Sequence, residues 1–184
     1  MTLLFLMEMR RDEVDTAPSF QTQEEINRVY YKLGKAVNLL ADFLRKNGYN
    51  VQAGPALNGD VNYPLLAEAA GLGAIGKHGL LINPKFGPSI RIAALFVDVE
   101  VLPVSEVNKH LWIKNFCKKC NSCVRKCPGD AIYKEPVILP DGSEQHIDYT
   151  KCAIPFSNNF DCAVCVKECS FYKFTYLEIK KRFH

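Results

Sequence analysis

Cys117-Lys-Lys-Cys120-Asn-Ser-Cys123-Val-Arg-Lys-Cys127-Pro128 is the stretch on which the reading of this chain turns. Three thiols at two-residue intervals can wrap the corner of one compact inorganic cluster. A fourth, three residues further and turned away by the proline, points elsewhere. This C-x2-C-x2-C-x3-C-P spacing is one that holds [4Fe–4S] clusters, with the fourth cysteine serving a second cluster. A second set follows as Cys152 and then Cys162-Ala-Val-Cys165-Val-Lys-Glu-Cys169, with nine residues in its first gap and Ser170, not proline, after its last cysteine.

Crossing the two sets as ferredoxins do puts Cys117, Cys120, Cys123 and Cys169 on one cluster. Cys127, Cys152, Cys162 and Cys165 fall to the other, and none of the 8 cysteines is left over. Zinc also accepts C-x2-C pairs, but it rarely needs three cysteines in successive x2 steps. Lys118, Lys119, Arg125, Lys126, Lys151 and Lys167 lie among the ligands, where they could offset the negative field of two clusters. Two adjacent clusters form a one-electron wire, so the chain either carries electrons or feeds them to a site of its own.

The remaining composition narrows the setting. A chain of 184 residues, 48% apolar and 23% charged, can bury a core. Its net charge of +3 is too small to argue for nucleic acid. No apolar run reaches the length of a membrane span. The opening Met1-Thr-Leu-Leu-Phe-Leu-Met7 lacks the basic segment, the apolar length and the cleavage site of a secretory signal. A cytoplasmic location is the expectation, and a disulfide framework does not suit it.

The cysteines divide the chain near Pro103. Residues 1–103 read as alternating strands and helices, and residues 104–184 as the cluster module. Leu3 to Met7 reads as a buried strand, Tyr49 to Ala53 as a second and Ile92 to Val97 as a third, with Arg91 leading into it. Thr22-Gln-Glu-Glu25 has the form of a capping box. Behind it Ile26, Val29, Tyr30, Leu33, Val37, Leu40, Phe43 and Leu44 recur at helical steps, and Gly48 stands at the C-terminal cap position. Pro64 opens a short helix through Ala70, and Gly71 to Gly79 reads as a glycine-dense loop. Overall an α+β fold is expected.

Two stretches, Ala69-Ala-Gly-Leu-Gly-Ala-Ile-Gly-Lys-His-Gly-Leu-Leu-Ile-Asn-Pro-Lys-Phe-Gly87 and Arg91-Ile-Ala-Ala-Leu-Phe-Val-Asp98, stand ahead of the cysteine sets. In that order they resemble the corrinoid-dependent reductive dehalogenases and epoxyqueuosine reductases, and residues 79–87 and 162–169 look closer to the dehalogenase branch. The resemblance implies a truncated nitroreductase-like α/β portion over residues 1–103 that binds a base-off corrinoid (cobalamin). A ferredoxin-like module with two [4Fe–4S] clusters follows over residues 104–184 and reduces the cobalt.

It also implies Tyr30 as proton donor, with Tyr31 as the second candidate, and Asn58 and Arg91 as its active-site companions. Gly71, Gly73, Gly76 and Gly79 would let backbone approach the cofactor, together with Lys77 and His78. The acid of epoxyqueuosine reductases has no counterpart beyond the displaced Asp60, since Leu57 and Asn58 occupy its segment. Enzymes of the family begin well before the strand near Met1. The corrinoid portion is therefore expected to be shortened, built differently, or completed by a partner chain or second copy.

Two functions follow from these readings. One is an iron–sulfur oxidoreductase passing electrons to a bound corrinoid for reductive chemistry on a small molecule. The other is an electron-transfer protein or subunit with two [4Fe–4S] clusters and no corrinoid of its own. Either needs an electron donor such as a ferredoxin or flavodoxin.

Overall fold

The computed structural model describes residues 1–57, 59, 61–99 and 107–183. The candidate Asn58, the displaced Asp60 and the boundary near Pro103 lie outside the described residues. The elements run β1 (Thr2–Glu8), α1 (Arg11–Val14), α2 (Phe20–Lys46), β2 (Val51–Ala53), α3 (Tyr63–Ala69), β3 (Ala74–Ile75), β4 (Leu81–Ile82) and β5 (Ile90–Val97). The cysteine-bearing part continues with α4 (Trp112–Cys120), α5 (Ser122–Lys126), β6 (Ile132–Ile138), β7 (Glu144–Ile147), α6 (Tyr149–Asn158), α7 (Val164–Lys167), α8 (Ser170–Lys173) and α9 (Tyr176–Phe183).

Alternation along β1 and β5 builds the first layer. The two strands pair antiparallel, Leu4 opposite Ala94, and β2 joins the other edge of β5 with Gln52 opposite Phe96. Successive side chains point to opposite faces, so both faces are apolar. Ala93, Leu95 and Val97 meet Leu33, Val37 and Ala41 of α2 on one face, with Leu3 and Phe5 packed against them. Ile90 meets Ala67 and Leu81 on the other, with Leu4, Leu6 and Ile92. The crossover from β1 through α2 to β2 gives two strands running the same way, and β5 inserts between them in the opposite sense.

The start of α2 corrects the capping-box reading. The N-cap is Ser19, whose hydroxyl accepts the Thr22 N–H at 3.1 Å, so the helix begins three residues early. Glu25 is released from capping, and its side chain is fully buried. It accepts the Arg10 main-chain N–H at 2.6 Å, the Arg10 Nε–H at 2.9 Å and both Arg28 donors. Burial alone would raise its pKa, but the bonds from Arg28 and Arg10 outweigh it and hold the carboxyl at about 2.

A carboxylate depressed from 4.5 to about 2 supports the fold above pH 4.5 and loses that contribution as the pH falls toward 2. Glu25→Gln is expected to cost about 2–3 kcal/mol at neutral pH. It should also flatten the acid limb of thermal stability, and an unchanged limb in melts across that range would refute the pairing.

At the other end of α2, Gly48 has φ +86° and closes the helix as expected. Two hairpins had no reading in the sequence. β3 and β4 pair within and just beyond the glycine-dense segment, and β6 and β7 pair between Cys127 and Cys152, turning at Gly142 with φ +81°.

The cysteine-bearing part shares a core with the first part. Met9, Val14, Ile26 and Val29 are buried together with Ile113, Val166, Phe171, Tyr172 and Ile179. Polar ties reinforce this apolar seam. Lys167 Nζ donates to the Ala17 carbonyl at 2.9 Å, and the Tyr172 hydroxyl lies 2.9 Å from both the Arg11 carbonyl and Asp15 Oδ1. Among the described residues no helix is long and apolar enough to cross a membrane.

Candidate metal centre and active site

The C-terminal end of α4 carries Cys117 and Cys120, and the first turn of α5 carries Cys123. Asn121 joins the helices with φ 52°, a left-handed conformation that asparagine tolerates better than most residues. Its Oδ1 accepts the Lys77 ammonium at 2.8 Å. Lys77 is only 7% exposed, and its own main-chain N–H donates to the Cys117 thiol. Cys169 is the N-cap residue of α8 and makes no side-chain capping hydrogen bond.

None of the eight cysteines is joined in a disulfide. Burial pushes Cys117 up to about 12 and Cys123 up to about 11, and it drives Cys169 well above its ordinary value. Cys120 adds to each of these shifts by proximity, so these four thiols form one neighbourhood. Cys152 and Cys162 are likewise raised, by burial first and then by Cys127. Burial takes Cys165 to about 12, with Cys162, Cys123, Cys152 and Cys127 as its neighbours.

These mutual influences set Cys117, Cys120, Cys123 and Cys169 in one neighbourhood and Cys127, Cys152, Cys162 and Cys165 in another, with Cys123 also acting on Cys165, while among the described residues no three ligating side chains close on a single-ion site. Burial disfavours a bare thiolate at the six shifted cysteines, and a bound metal would compensate a thiolate there. Two sets of four cysteine sulfurs fit the donor set of a [4Fe–4S] cluster.

Cys162 is presented by an unusual backbone. Phe160, Asp161, Cys162 and Ala163 have φ of 48°, 59°, 55° and 55°. Consecutive left-handed turns cost non-glycine residues about 1–2 kcal/mol each. Here the Asp161 N–H bonds to the Phe156 carbonyl at 3.1 Å and the Cys162 N–H to the Asn159 carbonyl at 2.8 Å. Asp161 is the one residue type among the four that favours that conformation.

Tyr30 and Arg91 come together. Arg91 lies within β5, not ahead of it, and its guanidinium sits over the Tyr30 ring at 5.0 Å from the centroid. Both line a pocket of about 160 Å³ with Tyr63, Leu80, Pro88 and Ile90. Arg91 Nε is buried without a hydrogen-bond partner among the described residues, while an Nη donates to the Ile90 carbonyl at 3.2 Å. Burial lowers the guanidinium pKa, and Tyr30, Cys165 and Asp161 act in the opposite direction. One side chain therefore touches the phenol and feels the second thiol set. Tyr31 points away and is 70% exposed.

The glycine segment has neighbours of its own. Gly71 adopts φ +72° after α3. A Cβ on Gly73 would strike the Ile82 carbonyl, and one on Gly76 would meet Ile82 Cδ1 at 2.6 Å and His78 Cε1 at 2.9 Å. A Cβ on Gly79 would lie 3.2 Å from His146 Cβ. The segment thus runs too close to Ile82 and to His146 of β7 to leave room for side chains at these glycines. His78, 4% exposed, accepts the Leu80 N–H at Nδ1, and its Nε2 has no partner among the described residues. Burial and the neighbouring His146 lower His78 to about 4, so the ring is neutral. The structure thus sets Lys77 beside the first thiol set, and His78 along a separate cleft of about 560 Å³ with Lys114 and His146.

The 4Fe–4S binding domain family matches residues 110–133, which include Cys117, Cys120, Cys123 and Cys127. The tetrachloroethene reductive dehalogenase of Dehalobacter restrictus is 32% identical, over 93% of this chain and 33% of its own. The chain is a homologue of the reductive dehalogenases. Its likeness to the epoxyqueuosine reductase of Vibrio cholerae, 40% identical, covers 40% of this chain and 18% of that protein, so the dehalogenase branch is nearer. A solved reductive dehalogenase, described as B12-dependent, superposes with a TM-score of 0.84 at 20% identity over 98% of this chain and 27% of its own. The homologue described here spans about a third of the length of the curated dehalogenases it matches.

Proposed function

We propose that this chain is the electron-delivering and substrate-facing part of a corrinoid-dependent reductase of the dehalogenase type. Cys117, Cys120, Cys123 and Cys169 hold one [4Fe–4S] cluster, and Cys127, Cys152, Cys162 and Cys165 hold the other. Electrons pass between them where Cys123 and Cys165 adjoin, and onward toward the Tyr30–Arg91 pocket. A bound corrinoid supplies the low-potential cobalt chemistry that reduces a small molecule. The observation that carries this reading is Arg91, which contacts Tyr30 and interacts electrostatically with Cys165. It couples the pocket to the second thiol set.

Tyr30 and Arg91 fit one wall of such a site. The phenol is placed to give a proton to the reduced substrate, and the orphaned Arg91 nitrogen can bind a departing anion. A pocket of about 160 Å³ takes a small molecule rather than a macrocycle. Most contacts to a corrinoid would come from sequence beyond the third shared with the relatives, or from a partner chain or second copy. The boundary between a corrinoid-facing portion, 1–103, and a cluster portion, 104–184, belongs to the same proposal. The shared apolar seam keeps the two portions in register.

The deciding experiment is iron, sulfide and cobalt analysis after anaerobic purification with cobalamin present. About eight irons and one cobalt per chain are expected. The same iron without cobalt would assign an electron carrier or subunit, and iron near four would remove one cluster.

A further inference from the structure

The two thiol sets face different surroundings. The second interacts with Arg91 of the Tyr30–Arg91 pocket, whereas the first borders a different groove through Cys120. Cys120 Sγ lies 3.1 Å from Ser170 Oγ, and Ser170 lines a groove of about 190 Å³ walled by Phe116, Phe174, Ile179 and Phe183. The groove is mainly apolar, and its rim is cationic. Lys119 Nζ sits 5.1 Å from the Phe183 ring centroid, and the Arg182 guanidinium sits 5.8 Å from that of Phe174. Lys118, Arg125, Lys180 and Lys181 are exposed on the same helices or the adjoining α5. Arg125 donates to the Cys120 carbonyl at 2.9 Å, which fixes a further cation beside the thiol.

The one acid in the groove wall is otherwise engaged. Glu178 accepts the Thr175 N–H and hydroxyl at 2.8 Å each, closing the N-terminus of α9. Arg182 and Lys181 act on Glu178 as well, but the rim cations outnumber this one acid, and Lys119 and Arg182 rest on aromatic faces, so net positive charge remains for a partner.

The geometry points to this groove, between α4, α8 and α9, as the docking port for a small acidic one-electron carrier protein that reduces the first cluster. Apolar contact at the centre and opposite charge at the rim is the arrangement of a transient, electrostatically steered encounter. The carrier is oxidised by one electron and the cluster reduced by one, and no bond is made or broken. This inference rests on the two-cluster reading above and adds the direction of flow, from the groove through the Cys120 set to the Cys165 set.

The test compares wild type with the double variant Lys119→Glu/Arg182→Glu, using stopped-flow bleaching of the clusters at low and high salt. One reductant is a reduced flavodoxin, an acidic protein, and the other is reduced methyl viologen, a small cation. Iron content is measured first. The variant is expected to keep its iron and its viologen rate. Its flavodoxin rate should fall about tenfold or more at low salt and lose its salt dependence. An unchanged flavodoxin rate with iron intact would overturn the port alone, and so would an equal loss with both reductants. Wild-type protein without iron would overturn the cluster reading and the port with it. A wild-type dimer that the variant abolishes would assign the groove to a second copy and overturn the carrier.

Discussion

A Cys165→Ser protein is expected to retain about half the wild-type iron, roughly four atoms per chain in place of eight. Its electron transfer to the Tyr30–Arg91 pocket should be abolished. Cys165 is the thiol with the most thiol neighbours among the shifted cysteines, and it interacts with Arg91 as well. A serine hydroxyl is a far poorer iron ligand than a thiolate, and it leaves the chain path around Val164 to Lys167 unchanged. The first foursome shares no ligand with the second, so its iron should remain. Anaerobic iron and sulfide analysis with a low-temperature electron paramagnetic resonance spectrum distinguishes the outcomes. Full iron content in the variant would refute the assignment of Cys165, and loss of all iron would show that the two sets form only as a unit.

Tyr30→Phe is expected to leave iron content unchanged while turnover falls by about 10² to 10⁴, the range of a lost proton donor. The substitution keeps the aromatic ring beneath the Arg91 guanidinium, so the stacking contact survives and only the hydroxyl is removed. Turnover is read with cobalamin supplied and a halogenated small molecule as substrate. Reduced viologen delivers the electrons, so that docking plays no part. Equal activity in the variant would reduce Tyr30 to one of the side chains packed against the core. A parallel loss of thermal stability would do the same.

Local sequence carried much of this architecture because its signals are short-range. The long helix was legible from its apolar spacing, and the structure extends it to Phe20–Lys46. Its start was misplaced because Thr22 and Glu25 mimic a capping box. Ser19 supplies the cap instead, and Arg10 and Arg28 draw Glu25 into the interior. The β3–β4 hairpin was hidden by the glycines on which it depends, since Gly73 and Gly76 are needed where Ile82 packs closely. Asp141-Gly142 was a turn signal for the second hairpin that went unread. The roles of Lys77 and Asn121 had no sequence signal, because they meet across 44 residues of chain.

By itself the sequence determined the metal chemistry: eight cysteines at spacings that a backbone can wrap around clusters only in a few ways, and a family likeness written in contiguous residues. Those are properties of neighbours along the chain, and they survive without a fold. Only the tertiary structure decided that Tyr30 and Arg91 face one another, that Arg91 interacts with Cys165, and that Cys120 meets Ser170 of a separate, cation-rimmed groove. Such contacts join residues far apart in sequence, and burial of the apolar seam between the two parts is what brings them together.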